Sequence, residues 1–171
     1  MNAKLDTGRV FERIFKIYGE QFTLLIPAAL LLFVPVALIN GLLRDEGGVL
    51  LSLAAAAISV IATYWYQGMI VEAVRDILDG RRDHTVGSLF SSAAPFIWPL
   101  FAAGILAGLG IGIGLLLLIV PGLFLLTIWA VLVPAIVIDR TGVLGGFRRS
   151  RELVRGNGWR VFGVIVVLFL L

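Results

Sequence analysis

The chain has 171 residues, of which 60% are hydrophobic and 15% are charged, and its net charge is +3. Globular domains carry about 25% charged residues, so this composition and a mean hydropathy of +1.03 indicate a membrane protein. The absence of cysteine excludes thiolate metal sites and cysteine nucleophiles, and the single histidine excludes a multi-histidine metal site. The excess of arginine over lysine, with abundant Ala, Gly, Val and Leu, suggests a bacterial protein.

The N-terminal segment, residues 1–21, is expected to form an amphipathic helix. Apolar and aromatic side chains recur at helical spacing, and charged side chains take the opposite face. Such a helix lies in the bilayer interface or packs its apolar face on other helices, and the sequence leaves both possibilities open.

The most apolar segment is residues 96–120, which contain no charged side chain. A helix of this length rises about 37 Å, more than the ~30 Å of a bilayer's hydrocarbon core. Similar segments predict spans at residues 22–43, 49–71 and 123–138, and a partial fifth span at residues 161–171. We therefore predict an all-α fold, a polytopic transmembrane helical bundle in one integral membrane domain over residues 1–171. Its four complete spans and truncated fifth are accompanied by amphipathic interfacial helices on the cytoplasmic face.

The fifth predicted span would rise only about 16 Å, half of the hydrocarbon core. We therefore expect the natural chain to continue past Leu171. Pro27 and Pro35 predict kinks in the first span. The Pro-Gly pair at 121–122 predicts a tight turn between the third span and the fourth span. A further helix is predicted at about residues 144–155.

In this topology all basic residues except Arg44 lie on the same side of the membrane. The thirteen on the common side are Lys4, Arg9, Arg13, Lys16, Arg75, Arg81, Arg82, Arg140, Arg148, Arg149, Arg151, Arg155 and Arg160. The positive-inside rule places this side in the cytoplasm. We expect a multi-pass protein of a bacterial cytoplasmic (inner) membrane with a cytoplasmic N-terminus. This placement also explains the positive net charge without a nucleic-acid partner.

Three glycines of the third span, Gly104, Gly108 and Gly112, are four residues apart. Small residues at this spacing let two helix backbones approach closely, which predicts a helix-packing face. The packing partner is either another helix of this chain or a second membrane protein, which includes another copy of this chain.

The interiors of the four complete predicted spans contain no ionisable residue. Because such residues mark proton relays, ion paths and intramembrane catalysis, we predict no catalytic residue, no cofactor and no metal ligand. The best candidate site is the arginine cluster Arg148, Arg149, Arg151 and Arg155. Juxtamembrane arginines attract anionic lipid headgroups and bind phosphate in a bidentate manner. The alternative is that they only fix the orientation of the chain in the membrane.

A motif-like segment runs from residue 121 to about residue 164. It contains a Pro-Gly pair, a Trp…Pro span, an acidic residue, glycines, and an Arg-Ser…Leu-Val…Gly…Trp stretch. The residues concerned are Trp129, Pro134, Asp139, Gly145, Gly146, Arg149, Ser150, Leu153, Val154, Gly156 and Trp159. The segment resembles bacterial multi-pass proteins related to the membrane domain of glycerophosphoryl diester phosphodiesterases. This resemblance implies about six spans. Hydrolysis in the fused members of that family belongs to a separate soluble barrel, which this chain lacks.

The sequence supports three hypotheses about function. The first is a non-enzymatic membrane module that organises lipids or a partner, with anionic headgroups, another membrane protein or a second copy as its partners. The second is a transporter or permease subunit, which the prolines and the glycine-rich third span favour. The third is a membrane-embedded lipid-modifying enzyme, which the uncharged span interiors disfavour.

Overall fold

The computed structural model describes residues 7–44, 48–80 and 85–170. Every regular element in these ranges is a helix, which confirms the all-α class. The α-helices are α1 (Thr7–Arg44), α2 (Val49–Leu78), α3 (Val86–Ala93), α4 (Ile97–Leu117), α5 (Ile119–Ile128), α6 (Leu132–Asp139), α7 (Gly142–Val154) and α8 (Gly158–Leu170), and a 3-10 turn, Ala94–Phe96, precedes α4. Lys4, Arg81 and Arg82 of the predicted topology lie outside the described residues.

Within the described ranges, four helical stretches are long and apolar enough to cross a membrane, in agreement with the four complete spans predicted. They are Gly19–Leu42, Val49–Leu78, Val86–Leu117 and Ile119–Asp139. Many of their large apolar side chains are exposed, including Leu116 at 85%. Exposed apolar surface on this scale is unfavourable in water and suits lipid. The residues predicted as a partial fifth span fall in α8, which meets α7 at a bend of 101°.

The described part of the predicted N-terminal arm, from Thr7 onward, and the first span form one continuous helix of 38 residues, α1. Pro27 and Pro35 lie inside this helix, and each removes one N–H donor from the helical ladder. Helices in membranes tolerate this loss where neighbouring groups satisfy the carbonyls. The helix therefore continues through both prolines.

The described chain divides into two compact units, of which the first is Gly19–Phe101. Its core consists of small and aliphatic side chains from α1, α2 and α3, among them Ala28, Met69 and Leu89. Two aromatic side chains of α2 add directed contacts. The Tyr66 hydroxyl donates to the carbonyl of Leu25 at 3.3 Å, and the indole N–H of Trp65 donates to the carbonyl of Phe90 at 3.2 Å.

The first turn of α3 is fixed by a reciprocal capping arrangement. The backbone N–H of Ser88 donates to the Thr85 hydroxyl at 3.3 Å, and the backbone N–H of Thr85 donates to the Ser88 hydroxyl at 2.8 Å. Two backbone donors that a helix start leaves without partners are satisfied in this way. The boundary after α2 is marked by Gly80, whose φ of +72° places it in the left-handed region that favours glycine.

The second unit comprises Met1–Tyr18 and Ala102–Leu171, and in it α4 and α5 are joined by one residue. This residue, Leu118, is extended, with φ −159° and ψ 140°. The turn predicted at Pro121-Gly122 therefore lies three residues earlier than expected, and the helix containing the fourth span begins at Ile119 rather than at residue 123. The physical reason is that Pro121 occupies the first turn of α5, where a missing N–H costs no intrahelical hydrogen bond.

A second proline-linked break separates α5 from α6. Pro134 lies in the first turn of α6 and cannot donate to the carbonyl of Ala130, four residues earlier. The N–H of Leu132 bonds to the carbonyl of Trp129 at 3.1 Å instead of that of Ile128. The break therefore leaves the Ile128 carbonyl without its usual helical donor.

Candidate functional site

Three of the predicted arginines, Arg148, Arg149 and Arg151, lie on α7, and Arg155 is its C-cap residue. Helix α7 packs against α6. The two helices are joined by Arg140 and Thr141. Arg140 adopts the left-handed conformation with φ 50°, and the Thr141 hydroxyl donates to the carbonyl of Ala135 at 3.1 Å. This short connection turns the chain back on itself directly after a candidate span. We call α6, the connection and α7 together the α6–α7 hairpin.

A glycine allows the two helices of the hairpin to approach closely. A Cβ atom at Gly146 would lie 2.5 Å from Cγ1 of Ile136 and 3.3 Å from Cδ1 of Leu132. Atoms cannot pack at the first of these distances, so a side chain at Gly146 would force α7 away from α6.

The other contacts of the hairpin compensate for the break between α5 and α6. The fully buried Ser150 of α7 donates its hydroxyl hydrogen to the carbonyl of Ile128 at 2.8 Å. Beside this bond, Trp129 packs edge-to-face on Phe147 with ring centroids 4.9 Å apart. Several residues of the Trp…Pro and Arg-Ser segment therefore serve as packing and hydrogen-bonding positions within the hairpin and α5.

Arg149 is held by two carboxylates. Its Nε donates to Oδ2 of Asp139 at 2.7 Å, and its Nη1 lies 3.6 Å from Oε2 of Glu152. The hydrogen bond to Asp139, with the attraction of its negative charge, raises the pKa of Arg149 above the ordinary value. The guanidinium therefore ties the end of α6 to α7.

The other three predicted arginines are exposed. Arg148 and Arg151 lie on the exposed face of α7, opposite the buried Gly146, Ser150 and Val154, and Arg155 is the C-cap residue that follows the helix. We call these three residues the arginine stripe. The side chain of Arg148 is 83% exposed, and its Nε lies 3.9 Å from Oε1 of Glu152. An ion pair so long and so exposed is worth little in water, so Arg148 remains available to an anion.

Two glycines of α4, Gly110 and Gly114, lie in close contact with α5 and the residue that follows it. A Cβ at Gly114 would lie 3.0 Å from Cα of Gly122, and one at Gly110 would lie 2.8 Å from the ring of Trp129. By contrast, a Cβ at Gly108 or at Gly112 would meet no described atom within 4 Å. The close approach of α4 to α5 thus involves Gly110 and Gly114, and the packing face of Gly104, Gly108 and Gly112 stays a prediction.

Two buried carboxylates in the first unit were not singled out by the sequence. Glu72 and Asp76 lie in the last two turns of α2, beyond the predicted span end at residue 71, and are 7% and 9% exposed. Nη1 of Arg75 lies 3.9 Å from Oε1 of Glu72, and its Nε lies 3.8 Å from Oδ2 of Asp79. The signal in the sequence was the spacing of four residues between the two acids, which puts them on one helix face.

The comparisons with known proteins give one match. No curated protein and no solved structure matches the chain, and nothing in the comparisons confirms the resemblance to the membrane domain of glycerophosphoryl diester phosphodiesterases. Residues 85–171 match the family described as "Domain of unknown function (DUF7847)", and this region contains α3 to α8. Because the match covers half of the chain, the chain belongs to the DUF7847 family.

Proposed function

We propose that this chain is a non-enzymatic membrane module that holds anionic lipid headgroups at the arginine stripe. The observation that carries the proposal is that the four arginines of the cluster differ in their partners and their exposure. Arg149 is bound to Asp139 and Glu152, whereas Arg148, Arg151 and the C-cap residue Arg155 are exposed. A guanidinium forms paired hydrogen bonds to phosphate oxygens, which are the charged atoms of anionic headgroups.

The position of α7 in the chain supports this role. It follows directly on the candidate span Ile119–Asp139, so its first residues lie close to the membrane boundary. Leu144 is 78% exposed and stands one turn before Arg148 on the same face. An apolar residue next to cations suits the boundary between headgroups and acyl chains. In this proposal α7 lies at the cytoplasmic face of a bacterial cytoplasmic membrane, where anionic lipids attract basic residues.

The test is the headgroup selectivity of the lipids that surround the protein. Protein reconstituted in phosphatidylcholine vesicles is mixed with a trace of spin-labelled phosphatidylglycerol or phosphatidylcholine, and the immobilised fraction of each label is measured. Each juxtamembrane arginine contributes about 1 kcal/mol of attraction, or roughly fivefold. Replacing Arg148, Arg151 and Arg155 together by glutamine should lower the selectivity for phosphatidylglycerol at least fivefold.

The matched control replaces the same three arginines by lysine. Lysine keeps the charge and loses the planar paired donors, so most of the selectivity should remain and should fall as salt is added. Equal selectivity in the parent and in the glutamine variant would overturn the proposal.

A further inference from the structure

The second unit contains a cleft of about 890 Å³ between α5 and α8. Val120, Leu123 and Phe124 of α5 form one wall, and Phe162 of α8 lies opposite. Asn157 and Arg160 line the cleft where α8 begins. The volume lies within the range of about 300–1,000 Å³ that is typical of small-molecule sites.

The apolar wall of the cleft continues onto the outer surface of a candidate span. Val120 and Phe124 both line the cleft and are exposed, at 76% and 59%, and both belong to the span Ile119–Asp139. The cleft therefore opens sideways toward the medium that surrounds this span. In a membrane that medium is the acyl chains of lipids.

The charge distribution in the cleft is asymmetric. Most of the described residues that line it are apolar, and the one ionised side chain among them is the cation of Arg160. An occupant that complements this lining is apolar along most of its length and anionic at one end. An arginine near apolar surface favours a phosphate, which it binds through paired hydrogen bonds.

We propose that the cleft holds one anionic phospholipid, with an acyl chain against Leu123 and Phe124 and the phosphate at Arg160. The inference rests on the lipid role proposed above but concerns different residues. The arginine stripe on α7 attracts exchanging headgroups, whereas the cleft retains a single molecule because it also covers an acyl chain.

The test is lipid retention by native mass spectrometry. The full chain is reconstituted in equal amounts of phosphatidylcholine and phosphatidylglycerol and then transferred to detergent. The parent should keep one phosphatidylglycerol per chain. Leu123→Trp fills the cleft and should lower the retained lipid at least tenfold. The matched control, Leu117→Trp, changes an exposed leucine of α4 outside the cleft and should retain the lipid.

Arg160 is tested separately through headgroup preference. Arg160→Gln should keep a bound lipid but bring the ratio of phosphatidylglycerol to phosphatidylcholine close to one, whereas Arg160→Lys should keep the preference. The arginine-stripe glutamine variant should retain the lipid, so the two proposals can fail independently. A parent that retains no lipid, or a Leu123→Trp variant that retains as much as Leu117→Trp, would overturn the cleft proposal. A dimer without lipid would also overturn the cleft proposal, because a second copy of the chain would then take the place of the lipid.

Discussion

Replacing Gly122 by alanine should destabilise the protein by about 1–3 kcal/mol, the range found for overpacked interiors. A Cβ at Gly122 would lie 2.6 Å from the backbone nitrogen of Leu115 and against the side chain of the same residue. Only Leu118 separates α4 from α5, so the helix ends cannot move apart without breaking the turn. Because the obstacle includes backbone atoms, rotation of a side chain cannot relieve it. The measurement is the midpoint of thermal unfolding in detergent.

The matched control is Gly112→Ala on the same helix pair. A Cβ there would meet no described atom within 4 Å, and alanine favours a helix over glycine by up to about 1 kcal/mol. We expect an unchanged or slightly higher midpoint. A larger loss for Gly112→Ala than for Gly122→Ala would instead support the face of Gly104, Gly108 and Gly112 as the packing face.

Replacing Ser150 by alanine should cost about 1–3 kcal/mol, because it leaves the partly buried carbonyl of Ile128 without a donor. The Ser150 hydroxyl donates to the Ile128 carbonyl at 2.8 Å. This carbonyl lies at the break before α6, whose first turn contains Pro134, and the helical hydrogen-bond ladder is interrupted there. Alanine fits the same space but offers no hydrogen. The loss should appear as a lower unfolding midpoint and as faster hydrogen exchange at the end of α5.

The control for this change is Ser91→Ala in α3. Ser91 is exposed, and its hydroxyl bonds only to carbonyls of its own helix, those of Gly87 and Ser88. Surface changes of this kind usually stay within about 0.5 kcal/mol. Equal midpoints for Ser150→Ala and Ser91→Ala would show that the interhelical hydrogen bond contributes nothing to stability.

The helices that are long and apolar enough to span a membrane could be predicted because their signal is local. A span needs a long run of apolar residues, and residues 96–120 show such a run without any neighbour being known. Pro121 correctly indicated that the helix is interrupted nearby, but it did not indicate the position of the break. The break lies at Leu118, because proline is accommodated in the first turn of a helix as readily as in a turn.

The details of the candidate site depend on contacts that sequence spacing does not reveal. Four arginines in eight residues predicted a basic cluster, yet only the hairpin brings Asp139 within 2.7 Å of Arg149 and so separates it from the other three. The glycine repeat likewise indicated a helix that can be approached closely, and α5 does approach α4 closely at Gly114. An acidic residue at the end of a span, ten positions before an arginine, was the available signal for the ion pair.

Labelling of single cysteines tests the membrane topology most directly, because these 171 residues include no cysteine. Gly48→Cys lies at the start of α2, and Leu144→Cys lies on the exposed face of α7. With a membrane-impermeant maleimide on intact bacterial cells, we predict that Gly48→Cys is labelled at once and that Leu144→Cys is labelled only after the membrane is opened. Labelling of Leu144→Cys in intact cells would place α7 on the outer side and contradict the account.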